Sequence, residues 1–381
     1  MEFEEVIAVH LGEVVLKGLN RPGFESALIA NIRAQAGEAC GRIAKTDSRL
    51  LIYPTDQERT LKSLAKVFGI SWYSPAIICK REIEEIASLV VEKAQMLKGI
   101  GVRVEASRSD KSYRLTSPEI ERHVGKALED AGHVIRLKNP EQRIYISILK
   151  EKAVISIGRI NGLGGLPAGT SGKALCLLSG GIDSPVASWL MMKRGCGVDF
   201  LHVHSGRSSQ DVRSSKMMKI LETLQGYYPK RCRLFVAPYH EFYKKSMSSD
   251  PKSELVLFRR FLFRLAGCVA EKEGHLGVVS GDNIGQVASQ TLENLAAVQS
   301  ACSLPIYRPV LTYDKQEIVD LARKIGTYEI SVQEYKDCCS LVAAKHPSTR
   351  MKIELAQRLE KEIKMEEIID KTLEQLEIIE I

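Results

Sequence analysis

Apolar residues recur with two periods along the chain, one of two and one near 3.6, and their alternation divides the sequence before any chemistry is considered. Val6-Ile7-Ala8-Val9-His10 and Leu50-Leu51-Ile52-Tyr53 read as strands, and 22 to about 36 as a helix with Phe24, Ala27, Leu28 and Ile32 on its apolar side. Residues 1–58 are therefore expected to form one α+β unit. A second is expected over 59–160, with helices at 60–67, 82–97 and 118–131 and strands at 101–106, 143–149 and 153–157. Ser117 is the expected cap of the third helix, ahead of Pro118, Glu119 and Glu121. Gly-rich residues 161–172, with Pro167, Thr170 and Ser171, mark a linker. Over 173–345, apolar runs at 174–178, 198–203, 234–237 and 277–279 alternate with helices. That rhythm predicts a doubly wound parallel sheet covered on both faces. Residues 346–381 form a charged helical tail too short for another domain.

Composition narrows the setting. With 381 residues, 44% of them hydrophobic and 27% charged, the chain suits two or three globular domains. No apolar run approaches the roughly 20 residues of a membrane span. The acidic start Met-Glu-Phe-Glu-Glu lacks the pattern of a secretory signal, so a cytoplasmic protein with no membrane partner is expected. A net charge of +7 is compatible with a polyanionic partner but is spread along the chain. Nine cysteines, an odd number without a C-x-x-C pair, argue against both a disulfide framework and a zinc site, and no protein-held metal is expected. Cys40, Cys79, Cys176, Cys196 and Cys268 lie in apolar or helical surroundings and are expected in cores. The adjacent pair Cys338-Cys339 sits among Lys336, Asp337, Lys345 and His346 and is not a core pattern.

The strongest chemical signal is Ser179-Gly180-Gly181-Ile182-Asp183-Ser184, directly after the apolar run 174–178 and before a helix beginning near Ser184-Pro185. Glycines allow a tight turn whose N–H groups approach a ligand closely. Ser179 and Ser184 add hydroxyls, and the helix N-terminus adds partial positive charge. No Gly-Lys-Ser/Thr follows, so this is not a Walker A loop. It resembles the PP-loop of ATP pyrophosphatases, which split ATP between its α and β phosphates.

With further motifs, the chain resembles the tRNA 4-thiouridine synthetases (tRNA uracil 4-sulfurtransferases, the ThiI family) over nearly its whole length. The motifs are Gly12-Glu13-Val14-Val15-Leu16-Lys17-Gly18-Leu19-Asn20-Arg21, the THUMP-like stretch from Ser107 to Val124, the PP-loop, Ser280-Gly281-Asp282-Asn283-Ile284-Gly285-Gln286-Val287-Ala288-Ser289-Gln290-Thr291, Tyr307-Arg308-Pro309-Val310, and Asp337-Cys338-Cys339. The resemblance implies an α/β multidomain fold: a ferredoxin-like α+β unit, a THUMP RNA-binding domain, and a PP-loop domain of the adenine nucleotide alpha hydrolase type. It also implies that ATP is held by Leu177, Leu178, Ser179, Gly180, Gly181, Asp183, Ser184, His202, Val203, Arg259, Gly281 and Gln290. By residue type alone, His202 suits a core equally well, Arg259 a solvated basic face, Gly281 a simple turn, and Gln290 a local cap. Asp183 is expected beside a phosphate-bound Mg²⁺, as a cap of the following helix, or in both roles.

The implied reaction adenylates O4 of a uridine, position eight of the tRNA, and replaces it with sulfur carried on Cys339. Asp183 and Cys339 are the implied catalytic pair. RNA contacts are expected from Lys17, Arg21, Arg103, Arg108, Lys111 and Arg114, with Tyr113 among them, through phosphate charge and tRNA shape. Partners implied by the family are tRNA, a cysteine desulfurase as sulfur donor, a sulfur carrier protein for thiamine thiazole synthesis, and a second copy in a homodimer. This chain shows no rhodanese domain after Cys339, which leaves the route of sulfur delivery open. Another PP-loop tRNA-modifying enzyme and a non-catalytic tRNA-binding protein are the rival readings. The absence of C-x-x-C pairs and the intact Ser-Gly-Gly-x-Asp-Ser run weigh against them.

Overall fold

The computed structural model describes residues 3–46, 49–206, 209–247, 249–335 and 348–381. Its chain divides into two units, Met1–Pro167 and Ala168–Ile381.

The first unit holds β1 (Glu4–Leu11), β2 (Arg42–Thr46), β3 (Arg49–Tyr53), β4 (Ile70–Cys79), β5 (Gly101–Arg108), β6 (Val134–Ile135), β7 (Gln142–Ile148), β8 (Ala153–Ile157) and β9 (Ile160–Asn161). These form one sheet in the order β2-β3-β1-β4-β8-β7-β5-β6, with β9 also on β4. β4 joins the two modules. It pairs antiparallel with β1 (Val9 opposite Tyr73) on one edge and with β8 (Ile77 opposite Ile155) on the other. Leu64, Val67, Ile70 and Tyr73 bury with Ile7, Val9, Leu28 and Ile32. The second core begins at Cys79 and Ile83. The boundary expected at 58/59 is thus corrected to lie after β4. Pro75 and the mixed polarity of Ile-Ser-Trp-Tyr-Ser-Pro hide this strand from a periodicity reading. Pro75 falls in the gap between the β9 pairing at 72–73 and the β8 pairing at 76–79.

Two local expectations also change. The helix Ser117–Asp130 is capped by Thr116, not Ser117, because Thr116 and Glu119 form a reciprocal capping box. The first half of the expected linker is fastened to β4, with Gly162 N donating to Ser71 O at 2.9 Å and Gly164 N to Ile70 O at 2.8 Å.

The second unit holds β10 (Lys173–Leu177), β11 (Gly197–His204), β12 (Arg233–Pro238), β13 (Val278–Val279), β14 (Ile306–Tyr307) and β15 (Glu377–Glu380), in the order β14-β13-β10-β11-β12-β15. All pairs are parallel except β12 with β15. From β10 the chain steps to β11 and β12 on one side, then returns to β13 and β14 on the other. Strand order therefore reverses beside β10, and a crevice opens at its C-terminal end.

The expected tail is part of this unit. Helices Ile353–Glu362 and Met365–Glu374 bury Ala356, Ile363, Met365, Ile368 and Ile369 in the main core. Buried Glu360 pins them by accepting from Arg260 Nη2 at 2.7 Å and Arg264 Nε at 2.8 Å. Helix amphipathicity was legible, but its partner surface, distant in sequence, was not.

Two cysteines depart from the expected cores. Cys268, in the helix Pro251–Lys272, is exposed, and Cys196, in the turn between the helix Asp183–Lys193 and β11, is half-buried. Among the described residues, no helix is long and apolar enough to cross a membrane, and no cluster of three or more His, Cys, Asp or Glu could hold a metal.

Candidate active site

The loop after β10 closes on itself through its two serines. Ser184 Oγ accepts from Ser179 N at 2.9 Å and donates to Ser179 O at 3.2 Å, and Gly181 N donates to Ser179 Oγ at 3.3 Å. The Ser184 hydroxyl, expected to face phosphate, is committed to holding the turn. The following helix is Asp183–Lys193. Pro185 in its first turn costs no hydrogen bond, because the N–H it lacks would have no intrahelical partner.

Asp183 makes no cap to its own helix. Its carboxylate instead accepts from Lys315 Nζ at 2.9 Å and Gln286 Nε2 at 3.0 Å. The capping alternative is therefore corrected: two elements more than 100 positions away reach this carboxylate, and sequence reasoning assigned a role to neither.

Gly281 comes within contact of the same turn. A Cβ there would lie 2.7 Å from Ser184 N and 2.8 Å from the Asp183 carbonyl carbon, both rigid backbone atoms. Its hydrogen side chain lets the Ser280–Thr291 stretch approach the helix N-terminus. Gly281 is thus a close-approach glycine rather than a turn glycine.

These elements surround a cleft of about 430 Å³ at the end of β10. Leu177, Leu178, Ser179, Asp183, Ser184, His202, Val203, Arg259, Gly281 and Gln290 all line it. Ten of the twelve expected nucleotide residues thus face one space, and Gly180 and Gly181 form the loop beside it. Leu201, Leu255, Phe258, Leu262 and Phe263 add an apolar wall suited to a flat base. The long helix Pro251–Lys272 supplies most of that wall; its residues were invisible as lining because they read simply as core.

Two of the lining residues are also tied to neighbouring elements. Arg259 is buried, so the solvated-face alternative fails. Its guanidinium is matched, with Nη2 donating to Asp282 Oδ1 at 2.6 Å and Nη1 to Ser289 O at 3.1 Å. Arg308 Nε completes the network to Asp282 Oδ2 at 3.2 Å. Burial pushes the Asp282 carboxyl up, but the two arginine charges and Ser280 outweigh it and hold the group below its ordinary range. Arg259 therefore braces the stretch bearing Gly281 and Gln290. His202 is buried, with Nδ1 donating to Leu178 O at 2.9 Å and Nε2 2.8 Å from Tyr335 Oη. Its ring forms a fixed wall of the cleft.

Cys339, Cys338, Lys336, Asp337, Lys345 and His346 lie outside the described residues. Burial pushes the Cys176 thiol up to about 12 and raises that of Cys232 as well, which disfavours the thiolate at both.

In the first unit, the expected RNA residues sort by their partners. Arg21 pairs with Glu25 at 2.6 Å, and Lys17 lies 5.2 Å from the Phe24 ring centre. Arg103 donates to Leu137 O, Arg108 donates to Tyr113 O, both at 3.1 Å, and Arg114 lies 3.7 Å from Glu84. Tyr113 is corrected from a contact residue to a core one. It is buried, and its hydroxyl donates to Arg81 O. The turn that results is tied by Asp110, which accepts from Ser112 N at 2.9 Å and pairs with Arg81 at 3.1 Å, and Lys111 at its tip is exposed.

A turn poised for phosphate at the switch point of a parallel sheet, closed by serines and overlaid by a glycine signature, defines a PP-loop nucleotide-binding domain, here preceded by an RNA-binding type of α+β unit. Family models match in the same order: the ThiI ferredoxin-like domain over 6–74, the THUMP domain over 80–158, and the thiamine biosynthesis protein (ThiI) model over 169–365. The chain belongs to the ThiI family. It is 38% identical to a probable tRNA sulfurtransferase of Moorella thermoacetica, over 98% of this chain and 97% of that one. It is 37% identical to a protein of the same description from Acetivibrio thermocellus, over 99% of each. Its fold matches a crystal structure of a 4-thiouridine synthetase in complex with RNA and with bound ATP (TM-score 0.87, 33% identity, 99% of this chain and 100% of that one).

Proposed function

We propose that the protein is an ATP-dependent tRNA sulfurtransferase that converts uridine to 4-thiouridine. The observation that carries this reading is the closed Ser179–Ser184 turn, with Asp183 and Gly281 beside it, at the mouth of an apolar cleft. The carbonyl oxygen O4 is a poor leaving group. Attack of O4 on the α phosphate of ATP forms an O4–phosphate bond and breaks the α–β bond, releasing pyrophosphate at the turn. Amides of the turn and the N-terminus of helix Asp183–Lys193 meet charge that grows on the departing group. Lys315, already at Asp183, adds a cation at the same edge. Asp183 is the carboxylate that would hold a phosphate-bound Mg²⁺, which would neutralise phosphate charge when present.

Sulfur then replaces AMP. A cysteine desulfurase loads sulfane sulfur onto the Cys339 thiolate as a persulfide, whose terminal sulfur attacks C4 as AMP leaves. A second thiol, Cys338 or another, attacks Cys339 Sγ and releases the 4-thiouridine sulfur with the bonding pair. The disulfide that remains needs a two-electron thiol reductant before the next turnover. Free sulfide is the alternative donor, attacking C4 without a persulfide.

tRNA is engaged through the first unit, with Lys111, Lys17, Arg21, Arg103, Arg108 and Arg114 contributing to phosphate contacts in the cytoplasm, and the enzyme acts as a homodimer. The thiamine description of its family model adds a second acceptor, a sulfur carrier protein. Incubation of unmodified tRNA with protein, ATP and either sulfide or desulfurase plus cysteine is expected to yield 4-thiouridine by nucleoside analysis. Absence of both tRNA-dependent pyrophosphate release and 4-thiouridine would overturn the reading.

A further inference from the structure

We propose that Lys216 is a positioning residue of the Ser179–Ser184 turn, a buried cation whose charge holds the departing pyrophosphate against that turn. The proposal deepens the reading of the turn as the pyrophosphate site and rests on it.

Lys216 opens the helix Lys216–Gln225, and Ser215 caps that helix by accepting from Met217 N at 3.2 Å. The lysine is buried, and its side chain lies against the turn. A Cβ on Gly180 would come 3.0 Å from Lys216 Cε and 2.8 Å from Tyr335 Cδ1, so any larger residue there would crowd both side chains. The ammonium is one bond beyond Cε, which puts it within about 6 Å of the Gly180 Cα. Its Nζ donates to Ser331 O at 2.7 Å and to Gln333 O at 2.6 Å. These carbonyls fix the ammonium in place, but they are dipoles and leave its net charge uncancelled.

Two effects oppose this placement. A desolvated ammonium is unfavourable, and a cation in the first turn of a helix meets the positive end of the helix dipole. The first turn of this helix carries no acidic residue. A second helix, Asp183–Lys193, starts from the phosphate-binding turn and directs its own positive end there. Like charge gathered in this way is unfavourable in the protein alone and is offset when a polyanion arrives, a pattern found at functional sites. Pyrophosphate is that polyanion. As O4 attacks the α phosphorus, the bond from that phosphorus to the bridging oxygen breaks, and its electron pair goes to the diphosphate. Negative charge therefore grows on the group nearest the turn, where a buried, fixed cation acts through little solvent. AMP stays on the adenine side and depends less on Lys216.

The test is displacement of a fluorescent ATP analogue from the full-length protein by inorganic pyrophosphate and, separately, by AMP. Lys216→Gln keeps a donor for the two carbonyls and removes the charge. It is expected to weaken pyrophosphate by about tenfold or more, the scale of one charge acting over several ångströms in a protein, and AMP by less than about twofold. Lys216→Arg keeps the charge and is expected to stay within about threefold of the parent for both ligands. A merely structural role would loosen Leu178 and Ser179, which line the cleft that takes the rest of the nucleotide, and weaken both ligands together. Equal weakening therefore overturns the proposal, as does an unchanged pyrophosphate affinity in Lys216→Gln or an Arg variant as weak as the Gln one. If Lys216→Gln fails to fold, Lys216→Met, which keeps the apolar stem, is read by the same outcomes. Pyrophosphate that does not displace the analogue from the parent protein removes the reading of the turn itself. Displacement from the parent beside an unmoved Lys216→Gln removes Lys216 alone.

Discussion

Gly281→Ala is a small change placed against rigid atoms. The added methyl would sit 2.7 Å from Ser184 N and 2.9 Å from Ser184 Cα, where ordinary contact begins at 3.4 Å. The gap between the Ser280–Thr291 stretch and the helix N-terminus must therefore open by about 0.7 Å, and neither side has a flexible side-chain end to move aside. Misplacement by about 1 Å in an active site costs on the order of 10²-fold, so in logarithmic proportion 0.7 Å costs about 25-fold in rate, or about 2 kcal/mol of transition-state stabilisation. Overpacking adds about 1–3 kcal/mol of destabilisation, so activity is to be read well below the melting temperature. The assay is tRNA-dependent pyrophosphate release at saturating tRNA, with filter binding of tRNA as a control that the first unit leaves unchanged. Release within twofold of the unsubstituted protein would refute the close approach as a determinant of phosphate geometry.

Three further outcomes follow from other parts of the structure. Asp183→Ala frees Lys315 and Gln286 from their shared acceptor and is expected to reduce adenylation at least 10²-fold while tRNA affinity holds; a fully active variant would remove this carboxylate from the chemistry. Asp199 is buried and accepts from Arg233 Nη2 at 2.8 Å and His275 Nε2 at 3.0 Å; burial pushes its carboxyl up, but those hydrogen bonds prevail and hold it well below the usual range. With the folded-state value depressed, its stabilisation is full above the ordinary aspartate value of about 3.9 and is lost progressively as pH falls from there through the depressed folded-state value, so the gap in melting temperature between Asp199→Asn and the parent should be widest near pH 7 and narrow steadily below about pH 4. For the RNA face, tRNA affinity should fall steeply with salt, and Lys111→Ala should make the log–log slope about 0.9 less negative, measured by titration at several salt concentrations.

Much of the architecture was legible because it is written in local periodicity. The apolar runs of β10, β11 and β12 and the turn that follows β10 needed only adjacent residues to be read. β4 was not legible, since Pro75 and interspersed polar residues break the alternation, and its partners lie far along the chain in β1 and β8. The capping residue moved by one position because Thr116 and Ser117 can both cap, and the reach of Glu119 back to Thr116 chooses between them.

Residue types and their spacing pointed by themselves to a turn suited to phosphate on a parallel sheet and to α+β units preceding it in the sequence, and resemblance to a family added the RNA-binding character of those units. Tertiary structure alone decided what each side chain does there. It joined Asp183 to Lys315, paired Arg259 with Asp282, and set His202 between Leu178 and Tyr335. Backbone propensity acts over a few residues and is printed in the sequence. Charge pairing and steric approach act through space, between positions whose separation along the chain carries no information about their distance.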